Sequence, residues 1–156
     1  MRPSGSPMST IPRIISVDDH VVEPAHIWES RLPARYREKG PRVVLRPRGV
    51  PRLVDGVWVE RPGDDGPLAA WWHYEDHLYQ LRLMIACPGL KPEEVKPIGV
   101  TFDEIALGCW DPKARLADMD KNHVEASLCF PNYPRFCGQL FNERKDRELA
   151  KLCVEA

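Results

Sequence analysis

The chain has 156 residues, 43% of them apolar, which is enough for one domain with a core of its own. Its 22 Lys and Arg nearly balance 23 Asp and Glu, for a formal charge of -1, so there is no broad electrostatic basis for nucleic-acid or anionic-membrane partners. No apolar run approaches the roughly 20 residues needed to cross a bilayer, and the first residues lack the apolar stretch of a signal peptide; together these predict a soluble, cytoplasmic protein.

Residues 1–12, rich in Pro, Ser and Gly, read as a disordered tail, with Met8 an alternative start. The β-branched run Arg13–Val17 follows and ends in Asp18, Asp19, His20, Val21, Val22, Glu23 and Pro24. A short apolar run with polar residues crowded at its C-terminal end predicts a buried parallel strand with a functional mouth. Ala25–Ser30 reads as a short helix after Pro24, and Arg31–Tyr36 as another helical turn. Between Pro41 and Glu60 the pattern changes to extended runs at Arg42–Leu45 and Arg52–Val59, with Asp55-Gly56 as a hairpin signal. Residues 61–67 read as a loop. The stretch 68–110 is the least regular, with aromatics at Trp71, Trp72 and Tyr74 and breaks at Pro88, Pro92 and Pro97. The whole of 41–110 is therefore expected to be an excursion from the main scaffold.

Regularity returns at 111–122. Asp111 with Pro112 fits an N-cap followed by proline in the first helical position, and Leu116 and Met119 give one apolar face. Val124–Phe130 reads as a second buried strand stopped by Pro131, and 132–141 as a loop. The last stretch, 142–156, carries Leu149, Leu152 and Cys153 at helical spacing. Strand, helix, strand, helix is the order of a parallel α/β sheet covered by helices. Two strands cannot make a stable sheet of that kind alone. Either the 41–110 region supplies the missing strands or the chain continues; the final helix meets the end of the chain without a Gly or Asn cap, which favours the expectation that the chain is incomplete at its C-terminus.

Asp18 and His20 are the strongest candidates for chemistry. Residues i and i+2 of a strand project to the same side, so these two point together and Asp19 points away. A carboxylate oxygen and an imidazole nitrogen about 7 Å apart along the strand can converge on one divalent ion, or can simply hydrogen-bond the loop at the strand end. Glu23, beyond the turn, suits a third ligand, a substrate-binding or second acceptor role, or a helix N-cap. Arg135 in the loop after the second strand is suited either to a carboxylate of the substrate or to a structural ion pair. His73 and His77, four apart, read as a polar helix face without the Glu of a metalloprotease helix. His26 falls in a surface segment, and His123 in a helix-to-strand turn. Five scattered cysteines (Cys87, Cys109, Cys129, Cys137, Cys153) with no CxxC pair read as reduced thiols, several of them buried. The five tryptophans read as packing residues, and Gly63–Gly66 is no phosphate loop.

The segment Ile14–Pro24 resembles the opening of the amidohydrolase-related family that includes aminocarboxymuconate-semialdehyde and resorcylate-type decarboxylases. Trp110–Asp120, Val124–Asn132 and Pro134–Gly138 are similar to that family's first helix, second strand and following loop. The resemblance implies the N-terminal portion of a (β/α)8 TIM-type barrel, with 41–110 an insertion and 111–156 a helix-strand-helix unit. It also implies a divalent metal, zinc or alternatively manganese, at the C-terminal mouth of the barrel. Asp18 and His20 match the acidic form of the family's first-strand ligand motif, while the family's later His and Asp have no counterpart here, so no catalytic residue is assigned. The activity implied is hydrolysis or non-oxidative decarboxylation of a small carboxylate or aromatic substrate. The alternatives are a stand-alone, non-catalytic α/β binding module, an inactive fragment, and a homo-oligomer whose partner subunits complete the site.

Overall fold

The computed structural model describes residues 12–156, together with the side chains of all of these except Val57, Trp58 and Cys137. The tail expected over residues 1–12 lies outside the described residues apart from its last position. The elements run β1 (Ile14–Val21), α1 (Ile27–Arg31), α2 (Ala34–Arg37), β2 (Arg42–Pro47), β3 (Arg52–Val54), β4 (Val57–Val59), β5 (Leu68–Tyr74), β6 (His77–Gln80), α3 (Pro112–Lys121), β7 (Val124–Pro131), α4 (Gln139–Asn142) and α5 (Arg147–Glu155). Between β6 and α3 the chain makes four 3-10 turns.

The class is α/β. β1 and β7 form a parallel pair, β2-β5-β6 an antiparallel sheet, and β3-β4 a separate hairpin. No closed barrel is present among the described residues. β1 reaches four residues beyond the predicted end at Val17, because its pairing continues through Asp19↔Cys129, His20↔Phe130 and Val21↔Pro131, after an irregularity between Ser16 and Asp19. Asp111 caps α3 by accepting from the Ala114 N–H at 2.7 Å. Asp55 and Gly56 turn the β3-β4 hairpin with φ of 50° and 79°, the left-handed conformation such a two-residue turn requires.

Several sequence expectations need correction, among them the loop read over 132–141, whose end forms the helix α4. His73 and His77 do not share a helix face: they lie on β5 and β6, where Tyr74 pairs with His77 across a tight turn through Glu75 and Asp76. Glu75 adopts φ 50°, where Gly or Asn is the usual signal, so this hairpin carried no sequence mark. Nor does α3 bury an apolar face. None of its residues is buried, and Leu116 is 62% exposed.

The core is built on β5, whose Ala69, Ala70, Trp71, Trp72 and Tyr74 are all buried. One cluster gathers Trp72 and Tyr74 with Trp28 of α1, Tyr133 after β7, Leu140 and Phe141 of α4, and Leu149 and Cys153 of α5. A second joins Ala70 to Val22, Leu81, Val100 and Cys109, and Val43 and Phe102 pack against both. The C-terminal carbonyls of α5 have partners in α1: the Trp28 indole donates to Cys153 O at 2.9 Å, and the Arg31 guanidinium to Ala156 O.

The two strands expected to be buried are not: the β1-β7 pair is bare, because no further element among the described residues packs over both of its faces. Ile15 and Val17 are each 68% exposed and Leu128 58%. Apolar residues on a parallel pair are expected to be covered on both faces.

Gln80 is wholly buried and ties the hairpin region to the sheet. Its side chain accepts from the Gly49 N–H at 2.8 Å and donates to Gly49 O at 3.2 Å and to Glu60 Oε1 at 2.9 Å. Glu60 also receives Arg82 at 2.8 Å. Replacement Gln80→Leu leaves the Gly49 amide and one Glu60 oxygen without their partner, at a cost of about 2–4 kcal/mol. Urea unfolding monitored by tryptophan fluorescence checks this; a loss below about 1 kcal/mol contradicts it.

Candidate functional site

The mouth of the β1-β7 pair assembles from strand alternation. Asp18 and His20 project from one face of β1, with Asp18 Oδ1 3.9 Å from His20 Nε2. Their side chains are 85% and 54% exposed. Asp19 turns the other way, as expected, and is held by the Ser127 hydroxyl of β7 and by Arg115 of α3 at 3.3 Å. Arg115 also donates to the His20 carbonyl at 3.3 Å. The Ser127 hydrogen bond, with further help from Ser16 and the Arg115 guanidinium, holds the Asp19 carboxyl below its ordinary range despite partial burial. This network fixes the backbone on which Asp18 and His20 are displayed. It was missed in the sequence because Ser127 and Arg115 become neighbours of Asp19 only through strand pairing.

Glu23 is buried, and both of its oxygens are engaged. Oε1 accepts from the Asn132 N–H at 2.9 Å and Oε2 from the Tyr133 N–H at 3.1 Å. Asn132 returns a bond from Nδ2 to Val21 O at 2.8 Å. Glu23 thus clamps the loop after β7 to the end of β1. It is not the cap of α1, whose N-cap position is His26. Burial pushes the Glu23 carboxyl above its ordinary range, and the Tyr133 and Asn132 amides offset this only in part.

Arg135 sits in that loop, half-exposed, with φ 60° and ψ -179°. That region is essentially reserved for glycine, so the loop is held under strain. Its guanidinium lies 3.6 Å from Glu143, a loose ion pair. Beside it, Phe136 is exposed and stacks on Phe130 at 5.9 Å, and Phe130 lies 6.0 Å from the His20 ring. Phe130 is the register partner of His20, so the two share a face. Neither phenylalanine stood out in the sequence, since only the pairing register places them beside His20.

The donors at the mouth fit part of a metal site. Zinc bonds of about 2.0–2.2 Å put tetrahedral donors roughly 3.3–3.6 Å apart, so a small rotamer change brings Asp18 and His20 into range. Among the described residues no group of three or more His, Cys, Asp or Glu side chains is placed to hold one ion. Of the remaining candidates, His26 and His123 lie in turns, and burial pushes the His77 imidazole below its ordinary range. Cys109 and Cys153 are buried free thiols, with burial raising Cys109 and pushing Cys153 up to about 12; Cys87 and Cys129 are free and accessible. Cys137 lies outside the described side chains.

Compared with known proteins, the sequence matches no family model and no curated protein. No helix among the described residues is long and apolar enough to cross a membrane.

Glu23→Gln turns one clamp acceptor into an N–H donor facing a backbone N–H, and should cost about 1–3 kcal/mol. The cost depends on pH. With its folded pKa raised, the folded chain binds the Glu23 proton more readily than the unfolded chain. Stability from this group therefore rises as pH falls through the folded pKa, and levels off below the ordinary value of 4.5. Denaturation of both proteins from neutral pH down to about 4 should show the wild-type advantage growing; a constant or shrinking gap contradicts the assignment.

Proposed function

We propose that the mouth of β1 and β7 is part of the metal site of a barrel enzyme of the amidohydrolase-related type. Its reaction is the hydrolysis or non-oxidative decarboxylation of a small carboxylate or aromatic substrate. The observation that carries this reading is the placement of Asp18 and His20 on one exposed face at the C-terminal end of a parallel strand, 3.9 Å apart. C-terminal strand ends are where parallel α/β folds present their chemistry.

Asp18 and His20 would hold the metal, zinc or alternatively manganese, since a carboxylate oxygen and an imidazole nitrogen suit both. A bound divalent ion supplies Lewis acidity toward a carbonyl or carboxylate oxygen, or toward water. Such sites use at least three protein ligands, so elements that cover the bare β1-β7 faces would bring the rest. The chain's own residues do the positioning. Arg115, Asp19 and Ser127 hold the β1 backbone, and Glu23 fixes the loop that carries Arg135. Phe130 and Phe136 offer an aromatic wall to a planar substrate, and the loosely paired Arg135 offers a guanidinium to its carboxylate.

A second reading, a stand-alone binding module, draws on the two buried clusters to which 41–110 contributes, the first of them shared with α1, α4 and α5. The two readings part at His20. Zinc titrated into the 156-residue chain should shift the His20 ring resonances saturably. Asp18→Ala should weaken that response by roughly tenfold or more, and in His20→Ala the accompanying shifts of the Asp18 and Phe130 amides should be lost. Equal shifts at His26, His73 and His123, or a response untouched by Asp18→Ala, would contradict the metal reading and leave the module.

A further inference from the structure

A cavity of about 490 Å³ lies between the β3-β4 hairpin and the loop that follows it. Its lining includes Val50, Val54 and Val59 and three arginines, Arg48, Arg52 and Arg61. Asp64 is the acidic member of the lining. The volume lies in the range of small-molecule sites, and the mixture of apolar wall and a few charged groups is what such sites present.

The frame of the cavity is built rigidly. Gln80 grips both polar groups of the Gly49 peptide, between Arg48 and Val50, and also holds Glu60, next to Arg61. Gly49 brings the two feet of the hairpin together: a Cβ there would meet the Arg61 carbonyl oxygen, and would lie 2.7 Å from the buried Trp71 ring. Gly63 closes on the Arg48 carbonyl in the same way, at 2.9 Å. Arg48 is oriented by Glu104 at 2.8 Å, while its Nε is buried without a partner. Arg52 and Arg61 are exposed and take part in no ion pair among the described residues. Arginines with free faces, gathered from separate segments over a valine surface, are poorly explained by packing.

We propose that this cavity binds a small organic anion, a carboxylate or phosphate monoester with an apolar body. Arg52 and Arg61 pair with the anionic head, and Val50, Val54 and Val59 meet the body. Guanidinium groups suit this task because their planar donors match both oxyanions in a bidentate manner. The proposal is independent of the metal reading, since it draws on no residue of the β1-β7 mouth.

The test uses the whole chain with benzoate and phenyl phosphate as probes, and benzamide as the neutral counterpart of the same shape. Amide resonances of Val50, Val54, Val59 and Gly63 should shift saturably with at least one anion and not with benzamide. The Arg52→Gln/Arg61→Gln pair should raise the dissociation constant roughly tenfold or more. Both side chains are exposed, so the variant keeps its fold, which unchanged resonances of Trp28, Trp72 and Tyr133 verify. Arg61→Lys alone should retain part of the affinity. Benzamide binding as well as benzoate, shifts indifferent to the double variant, or no saturable shift with either anion overturns the proposal.

Discussion

The packing of Tyr133 against Trp72 is the contact on which the arrangement depends. The two rings stack at 5.0 Å, and Trp28 meets both edge-on, at 5.0 Å from Trp72 and 5.6 Å from Tyr133. Trp72 belongs to the antiparallel sheet, Trp28 to the helix after β1, and Tyr133 to the loop after β7. One aromatic group thus joins three segments that are remote in sequence, and aromatic pairs of this geometry add about 0.5–1.5 kcal/mol each beyond the area they bury. Glu23 reinforces the same junction from the polar side, since it grips the Tyr133 amide directly. The mouth of the parallel pair is held in place by a core that lies mostly outside it.

This division explains a contrast within the molecule. The antiparallel sheet and its helices bury their large side chains, whereas β1 and β7 leave Ile15, Val17 and Leu128 open and α3 leaves Leu116 open. Apolar exposure of that extent on a parallel pair is costly. It is consistent with a surface that other elements or subunits cover, and it lies beside the residues proposed to meet a metal.

Much of this was legible in the sequence where the signal is local. The Asp111 cap, the Asp55-Gly56 turn, the alternation of Asp18, Asp19 and His20, and the helical spacing of Leu149 and Cys153 all concern neighbours within a few residues. The β5-β6 hairpin was not legible. Leu68–Tyr74 is buried almost throughout, so it lacks the alternation that marks a half-exposed strand, and its turn uses Glu75 where glycine is usual. The roles of Glu23, Ser127 and Arg115 were hidden for another reason. Each acts on a residue about 95 or more positions away, and only the fold supplies that adjacency. The arginine cavity was hidden in the same way, because its walls come from segments that read as a hairpin and a loop.

The most direct test of the central claim is a crystal of the chain soaked in zinc and measured at the zinc absorption edge. An anomalous peak is expected between His20 Nε2 and the Asp18 carboxylate, at bond distances of about 2.0–2.2 Å. Peaks only at other histidines or cysteines, with that position empty, would show that the shared face of Asp18 and His20 is not a metal site.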